Sequence, residues 1–248
     1  MPSFDIVGDI AIVEDKKLLK EVLETHKHVK AVLLKDSSRE GEFRNRKFRL
    51  LYGKRTETVH IEHGCRYFLD VTKAYFSTRE STERQRVAGL VKPGERVCIL
   101  FGGIGPYAIQ IAKRVPTAIA YTVEVNPDAS KYAEKSIGMN KLSGRVVPVC
   151  TDVAKLGPEW DGQFDRVAMP LPKEGHKFLG KALGLLKKGG VVHFYFVAPR
   201  KDLFSAAEGL LETEAKKLGR KVKVLGKKKV LAYAPGIWKA CIDAQVNS

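Results

Sequence analysis

The sequence predicts an α/β fold: a Rossmann-like domain with a mostly parallel sheet, preceded by a small α/β domain. Three observations predict it. From Arg96 onward, short apolar runs alternate with helix-patterned stretches; a glycine-rich turn separates the first of these runs from its helix; and before residue 90 the elements are short and mixed.

In the first part, residues 9–13 (DIAIV) are strand-like. Residues 16–25 place Leu18, Leu19, Val22 and Leu23 at helical spacing, and residues 31–34 return to a strand pattern. A loop dense in Arg and Glu spans residues 37–47, followed by strand-like stretches at 48–52, 56–62 and 66–70. Residues 82–90 read as a helix with Ser81 or Thr82 as N-cap, and Lys92-Pro93-Gly94-Glu95 forces a turn. The repeating part then runs strand 97–100, Gly-rich turn, helix 107–114, strand 118–123 ending at Glu124, helix 127–140, strand 146–150, strand 164–169, helix 175–186 and strand 191–197. Such alternation buries strands on both faces and favours parallel pairing. A helix at 203–218 and strands at 222–225 and 238–242 complete the chain, giving domains at 1–80 and 81–248.

The 248 residues, 44% of them apolar, suffice for a sizeable core. No apolar run approaches the roughly 20 residues that cross a bilayer, and the start has no signal-peptide pattern, so a cytoplasmic protein without membrane contact is expected, as a monomer. Cys65, Cys98, Cys150 and Cys241 lack C-x-x-C spacing, so no metal site and no disulfide framework is expected. Charge says more: 44 Lys and Arg against 28 Asp and Glu leave a formal +16, which favours a polyanionic partner. A candidate track is Lys216, Lys217, Arg220, Lys221, Lys223 and Lys227 to Lys229; a solvated face reads the same way.

The turn Phe101-Gly102-Gly103-Ile104-Gly105-Pro106 lies where backbone N–H groups and a helix N-terminus can meet a ligand if side chains are absent. Glu124, about twenty residues on at the end of the next strand, is placed to accept both hydroxyls of a ribose. The spacing G-G-x-G-P, not G-x-G-x-x-G, suits S-adenosylmethionine better than a pyrophosphate cofactor. Asp152 after the third strand is either a contact to an adenine amino group or a helix N-cap.

Several stretches carry a resemblance. Phe4-Asp5-Ile6-Val7-Gly8-Asp9-Ile10-Ala11, Thr56 to His60, Tyr75-Phe76-Ser77-Thr78-Arg79, Ser81-Thr82-Glu83-Arg84, the glycine turn, Val125-Asn126-Pro127 and Tyr233 to Trp238 occur in order along nearly the whole chain. The sequence resembles the archaeal and eukaryotic tRNA guanine-37 N1-methyltransferase family with its wybutosine-pathway relatives. The resemblance implies a class I methyltransferase domain, S-adenosylmethionine, and the anticodon loop of tRNA as partner. It implies Glu83 as general base, Arg44 as the arginine that steadies the guanine, and Tyr75 against the target nucleotide. Arg79 and Arg84 would shape the site or hold phosphate. Archaeal members often carry a further N-terminal domain, which this chain is expected to lack.

Two positions depart from the pattern. Ile99 stands where the family usually has Asp, and Pro170-Leu171-Pro172-Lys173 replaces its Asn-x-Pro. Proline lacks both the amide and a backbone donor, which leaves Lys173 or a backbone carbonyl beside Pro172 to supply the lost bond, or a different target atom. The expected activity is methyl transfer to N1 of guanosine 37. The alternatives are a wybutosine-pathway reaction, either aminocarboxypropyl transfer or carbon methylation of a tricyclic guanosine, and a non-catalytic tRNA-binding protein. The aminocarboxypropyl-transferring relatives typically lack the arginine of Phe-Ser-x-Arg; Arg79 is present here.

Overall fold

Alternating runs too short for long helices build the first layer. In a computed structural model, which describes residues 4–36 and 47–247, β1 (Phe4–Val7), β2 (Ile10–Val13), β3 (Ala31–Lys35) and β4 (Phe48–Tyr52) form a four-stranded sheet in that order. Helix α1 (Leu18–Thr25) makes the crossover that lets β2 and β3 pair in parallel, burying Leu18 and Val22 against the sheet. Strand β1 lies outside every predicted element: its four residues are mostly part-buried and carry no alternation long enough to read.

Strands β5 (Glu57–Glu62) and β6 (Cys65–Asp70) form a separate hairpin. It is fixed on two sides. Asp9 accepts from Thr58 Oγ1 at 2.7 Å and pairs with Arg55, while Ser136 Oγ and Asn140 Oδ1 on α4 (Pro127–Met139) and its cap accept the backbone N–H groups of Phe68 and Arg66 at 2.9 Å. The hairpin therefore welds the first layer to the helical face of the main sheet, and one core runs from Ile10 and Leu33 through Tyr67 to Val87, Ile99 and Ile109.

The main sheet contains β7 (Arg96–Leu100), β8 (Ile119–Glu124), β9 (Val146–Cys150), β10 (Phe164–Met169), β11 (Leu186–Pro199), β12 (Lys221–Ala234) and β13 (Ile237–Asn247). Their order is β12-β13-β11-β10-β7-β8-β9, parallel from β11 to β9, with β13 and β12 antiparallel. Helices α2 (Ser81–Leu90), α3 (Pro106–Arg114) and α4 are packed into the shared core, and α5 (Leu179–Gly184) and α6 (Ser205–Lys217) into a second one. The chain passes from β7 to β8 on one side and returns to β10 on the other. The crevice beyond the carboxyl ends of β7 and β10 is thus the topological switch point, where open α/β sheets bind ligands.

Four predicted elements change. The helix expected over 175–186 splits into a 3-10 turn at Gly175–Phe178 and the short α5, because Gly180 and Gly184 weaken it and Leu186 already begins β11. The last two strands are an extended hairpin of 14 and 11 residues. The alternation of β12 is hidden by its lysines on a largely exposed edge. Neither Ser81 nor Thr82 caps α2; Ser81 is its first residue, and its hydroxyl meets His63 Nε2 at 2.8 Å.

Candidate active site

The turn after β7 is assembled by backbone bonds: Gly102 N–H donates to Val123 O at 2.9 Å and Gly105 N–H to Gly102 O at 3.0 Å, after which Pro106 opens α3. Gly103 has φ +56°, and a Cβ there would stand 3.6 Å from the carbonyl oxygen of Tyr75, across the mouth of a cavity that both residues line. The Glu124 carboxylate is oriented by two backbone donors, Gly103 N–H to Oε2 and Asn126 N–H to Oε1, each at 2.8 Å. Asn126 caps α4 through Oδ1 and donates from Nδ2 to Lys73 O at 2.9 Å, which holds the strap leading to Tyr75 over the turn.

This first cavity is lined by Phe101, Gly102, Gly103 and Glu124, by Tyr75, Phe76 and Ser77 from the strap, and by Pro170 and Leu171 beyond β10. The hydroxyl of Tyr107, also in the lining, is buried without a hydrogen-bond partner. The residues fit the expected S-adenosylmethionine. A carboxylate pre-oriented by two backbone donors is the group that vicinal hydroxyls donate to, glycine backbone leaves room for close approach, and Phe101 and Pro170 supply apolar walls. Phe101 itself has φ +58°, unusual for a bulky residue and a mark of a functional turn.

A second cavity, of about 370 Å³, opens on the other side of the strap. Its walls come from β1 and β2, from residues 71–80, from Pro172 and from the β12–β13 hairpin. The two cavities share Tyr75, Phe76, Ser77 and Glu80. The charged lining is paired: Arg79 with Asp5 at 2.9 Å, Lys35 with Glu14 at 3.0 Å, and Lys239 Nζ with Glu80 Oε2 at 2.8 Å.

Tyr75, Phe101, Gly102, Gly103, Glu124, Arg79 and Pro172 are thus brought to the two cavities. Gly105 sits one step behind, as the left-handed residue that starts α3. Arg44 lies outside the described residues. Lys173 is exposed, its ammonium 5.3 Å from the centroid of the Tyr233 ring at the rim of the second cavity. Asp152 takes the capping role: its carboxylate accepts from Ala154 N–H at 2.9 Å, outside the first cavity's lining.

Two residues of α2 have polar atoms engaged within the protein. Arg84 touches the first cavity, but it is 2% exposed and its guanidinium is spent on both oxygens of Glu62, at 2.7 and 2.6 Å, and on Ser77 O at 3.0 Å. It holds the hairpin and the strap, and so shapes the first cavity, with Nε and Nη2 engaged. Burial pushes the Glu62 carboxyl up, but the His60 and Arg84 contacts outweigh this and bring it down to about 2. Glu83 is 4% exposed and lines neither cavity; its carboxylate accepts from Arg86 at 2.7 and 2.8 Å and from the Tyr195 hydroxyl at 2.6 Å.

The residues that the pattern reading missed are Glu80, Lys239, Asn126 and Tyr107. One signal was available for Lys239: a lysine inside the strand Trp238-Lys239-Ala240-Cys241-Ile242 is buried only with an anionic partner. Glu80, in Arg79-Glu80-Ser81, has no local pattern that marks it.

Known proteins resemble this chain along nearly its whole length. Residues 58–225 match the model of the TRM5/TYW2 methyltransferase domain, and residues 1–56 that of the TYW2 N-terminal domain. The tRNA (guanine(37)-N(1))-methyltransferase Trm5b of Pyrococcus abyssi is 39% identical over 99% of this chain and 75% of its own. The tRNA(Phe) (4-demethylwyosine(37)-C(7)) aminocarboxypropyltransferase of Methanocaldococcus jannaschii is 36% identical over 98% of this chain and 97% of its own. Among solved structures, M. jannaschii TYW2 in complex with AdoMet superposes with a TM-score of 0.82 at 31% identity, covering 99% of each chain. The complex of aTrm5 with tRNALeu gives 0.86 at 35% identity, over 99% of this chain and 72% of that one.

Proposed function

Because the chain belongs to the TRM5/TYW2 methyltransferase family, we propose that it transfers the methyl group of S-adenosylmethionine to N1 of guanosine 37 in tRNA. One observation carries the reading: the cofactor cavity and the larger cavity share a single strap, Tyr75 to Ser77 with Glu80, so a group held on one side faces a base held on the other. S-adenosylmethionine supplies an electrophilic methyl on a sulfonium sulfur. Glu124 holds the ribose, the Gly103 turn admits the cofactor, and Phe101 and Pro170 exclude water from it. Tyr75 meets the target nucleotide at the strap, and Arg79, anchored on Asp5, lies at the entrance for the flanking RNA.

A second reading is aminocarboxypropyl transfer to a tricyclic base at position 37. The match of residues 1–56 to the TYW2 N-terminal domain favours it. Arg79 in the lining of the acceptor cavity favours the first, since this second group of relatives typically lacks it. Incubation with S-adenosylmethionine carrying distinct labels in methyl and methionine backbone, in parallel with tRNA bearing guanosine 37 and with tRNA bearing the tricyclic base, decides between them. Methyl label in N1-methylguanosine is expected. Backbone label in tRNA carrying the tricyclic base, with no methyl label on guanosine, would overturn the first reading.

A further inference from the structure

We infer that Asn126 is a positioning residue that pre-organises the wall between the two cavities: its side-chain amide keeps the strap of residues 73–77 seated, so that cofactor and tRNA each bind independently of the other. The inference rests on the reading of the second cavity as the acceptor site. Asn126 is 5% exposed and bonded in three directions. Its backbone N–H donates to Glu124 Oε1 at 2.8 Å, its Oδ1 accepts from Asp128 N–H at 3.0 Å and Ala129 N–H at 3.4 Å, and its Nδ2 donates to Lys73 O at 2.9 Å. The two backbone donors of α4 fix which end of the amide is oxygen, so the end that meets Lys73 O is the donor.

The strap is a shared wall, since Tyr75, Phe76 and Ser77 line the cofactor cavity on one side and the acceptor cavity on the other. Side chains pin it at both ends, Asn126 at Lys73 O and Arg84 Nη2 at Ser77 O. The Ser77 end is further wedged by the Phe76 ring, whose centroid lies 5.1 Å from that of His60, 5.6 Å from that of Tyr67 and 4.9 Å from the Arg84 guanidinium carbon. At the other end the N–H groups of Lys73 and Ala74 turn back to Asp70 O, so the polar tie to the main sheet is the Asn126 amide. One residue therefore orients both the carboxylate that faces the cofactor and the wall that faces the acceptor. A wall already seated costs neither ligand anything to order. With the tie cut, the seated strap becomes only a fraction of the ensemble, and the apparent affinity of each ligand falls by that fraction. Whichever ligand then binds first seats the wall for the second, and cooperativity appears where there was none.

The test uses the intact chain with Asn126→Ser and Asn126→Asp, both of which keep an oxygen to cap α4 and lose the amide donor. Binding of a tRNA transcript with guanosine 37 is measured by filter binding with and without saturating S-adenosylhomocysteine, and binding of S-adenosylhomocysteine by calorimetry with and without that tRNA. In the wild type each ligand should leave the affinity for the other within about twofold. In both variants tRNA affinity should fall by about 5-fold or more in the absence of S-adenosylhomocysteine, and saturating S-adenosylhomocysteine should recover most of it. The same factor must appear when S-adenosylhomocysteine binding is measured against tRNA, because coupling is reciprocal. Agreement between the neutral variant and the charged one separates the effect from repulsion of the RNA. A change in S-adenosylhomocysteine affinity alone overturns the inference and assigns Asn126 to the cofactor only. A tRNA loss that S-adenosylhomocysteine does not recover, wild-type binding in both variants, or strong cooperativity already in the wild type overturns it as well, and each leaves methyl transfer standing. A wild type that binds S-adenosylhomocysteine but no tRNA removes the acceptor reading itself.

Discussion

Gly102 meets a steric demand that the other glycines of its turn do not. A Cβ at this position would lie 1.9 Å from Thr122 Oγ1 and 3.1 Å from Thr122 Cβ on the neighbouring strand, so Gly102→Ala must push Thr122 or the turn aside. Overpacking of this kind costs roughly 1–3 kcal/mol, which in a domain of this size lowers Tm by several degrees. Thr122 Oγ1 is buried with no hydrogen-bond partner, so removing it forfeits no bond. Thr122→Ala in the Gly102→Ala background is therefore expected to recover most of the lost Tm in a thermal melt; an additive loss would place the strain elsewhere. The glycine cluster was legible as a cofactor turn from its spacing and from Glu124. Which glycine answers to packing was not, because the atom that forbids a side chain belongs to a strand about twenty residues away. Ile99 shows the same limit: it is 1% exposed and packs in the shared core, which its replacement of a carboxylate does not by itself reveal.

Between elements, a chain of buried charges does what apolar patterning cannot announce. Arg86 on α2 joins Glu83 to Asp243 on β13, Asp243 accepts from His193 Nδ1 on β11 at 2.6 Å, and His193 Nε2 faces Arg166 on β10 at 2.8 Å, which in turn pairs with Glu95. Arginine only donates, so His193 Nε2 accepts and the proton sits on Nδ1: the ring is neutral. Burial lowers its proton affinity against the pull of Asp243, and Arg166 and Arg86 lower it further. His193, Cys241 and Asp243 cluster closely enough to suggest a metal site, but their donors are already committed to two arginines. Hydrogen bonds from the neutral His193 and from Arg86, with the Arg86 ion pair, overcome the effect of burial and hold the Asp243 carboxyl well below its usual range. All these shifts act in one direction. A group whose folded pKa is depressed destabilises the fold as pH drops below its unfolded value, since the unfolded chain then binds protons the folded one refuses. Stability measured by urea titration should therefore fall below pH 6.5 through His193, and fall again between pH 4.5 and about 2 through Glu62. The Glu62 step alone is worth about 3 kcal/mol. His193→Asn should flatten the first step; a first step that survives it would assign that step to another group. The order of the helices and parallel strands was readable from β7 to β10 because each element carries its own period. The β12–β13 hairpin and this buried chain were not, since both depend on partners distant in sequence, Asp243 for His193 and Glu80 for Lys239.

At the scale of the whole molecule, the +16 formal charge has to be placed against a polyanion. Much of the basic cluster read from the sequence falls on β12, the exposed edge of the main sheet, with Lys221, Lys223, Lys227, Lys228 and Lys229 along it. Lysines on an edge strand have a purely structural use, since they discourage pairing with a second sheet. Some of these are also engaged locally: Lys227 with Glu208 at 2.6 Å, and Lys229 over the Trp238 ring at 3.5 Å. The far end of the same strand, at Leu231, Ala232 and Tyr233, lines the acceptor cavity, so a nucleic acid entering that cavity runs beside the lysines. Each phosphate they neutralise releases counterions and contributes roughly 0.7 to 0.9 to the slope of log affinity against log salt. Binding of tRNA should thus weaken steeply as salt rises, and replacing Lys223 and Lys228 together by Gln should lower the slope by about 1 to 2 while leaving the methyl-transfer rate at saturating tRNA unchanged. An unchanged slope in that double variant, measured by filter binding across a salt series, would assign these lysines to protection of the sheet edge and move the tRNA track to another face.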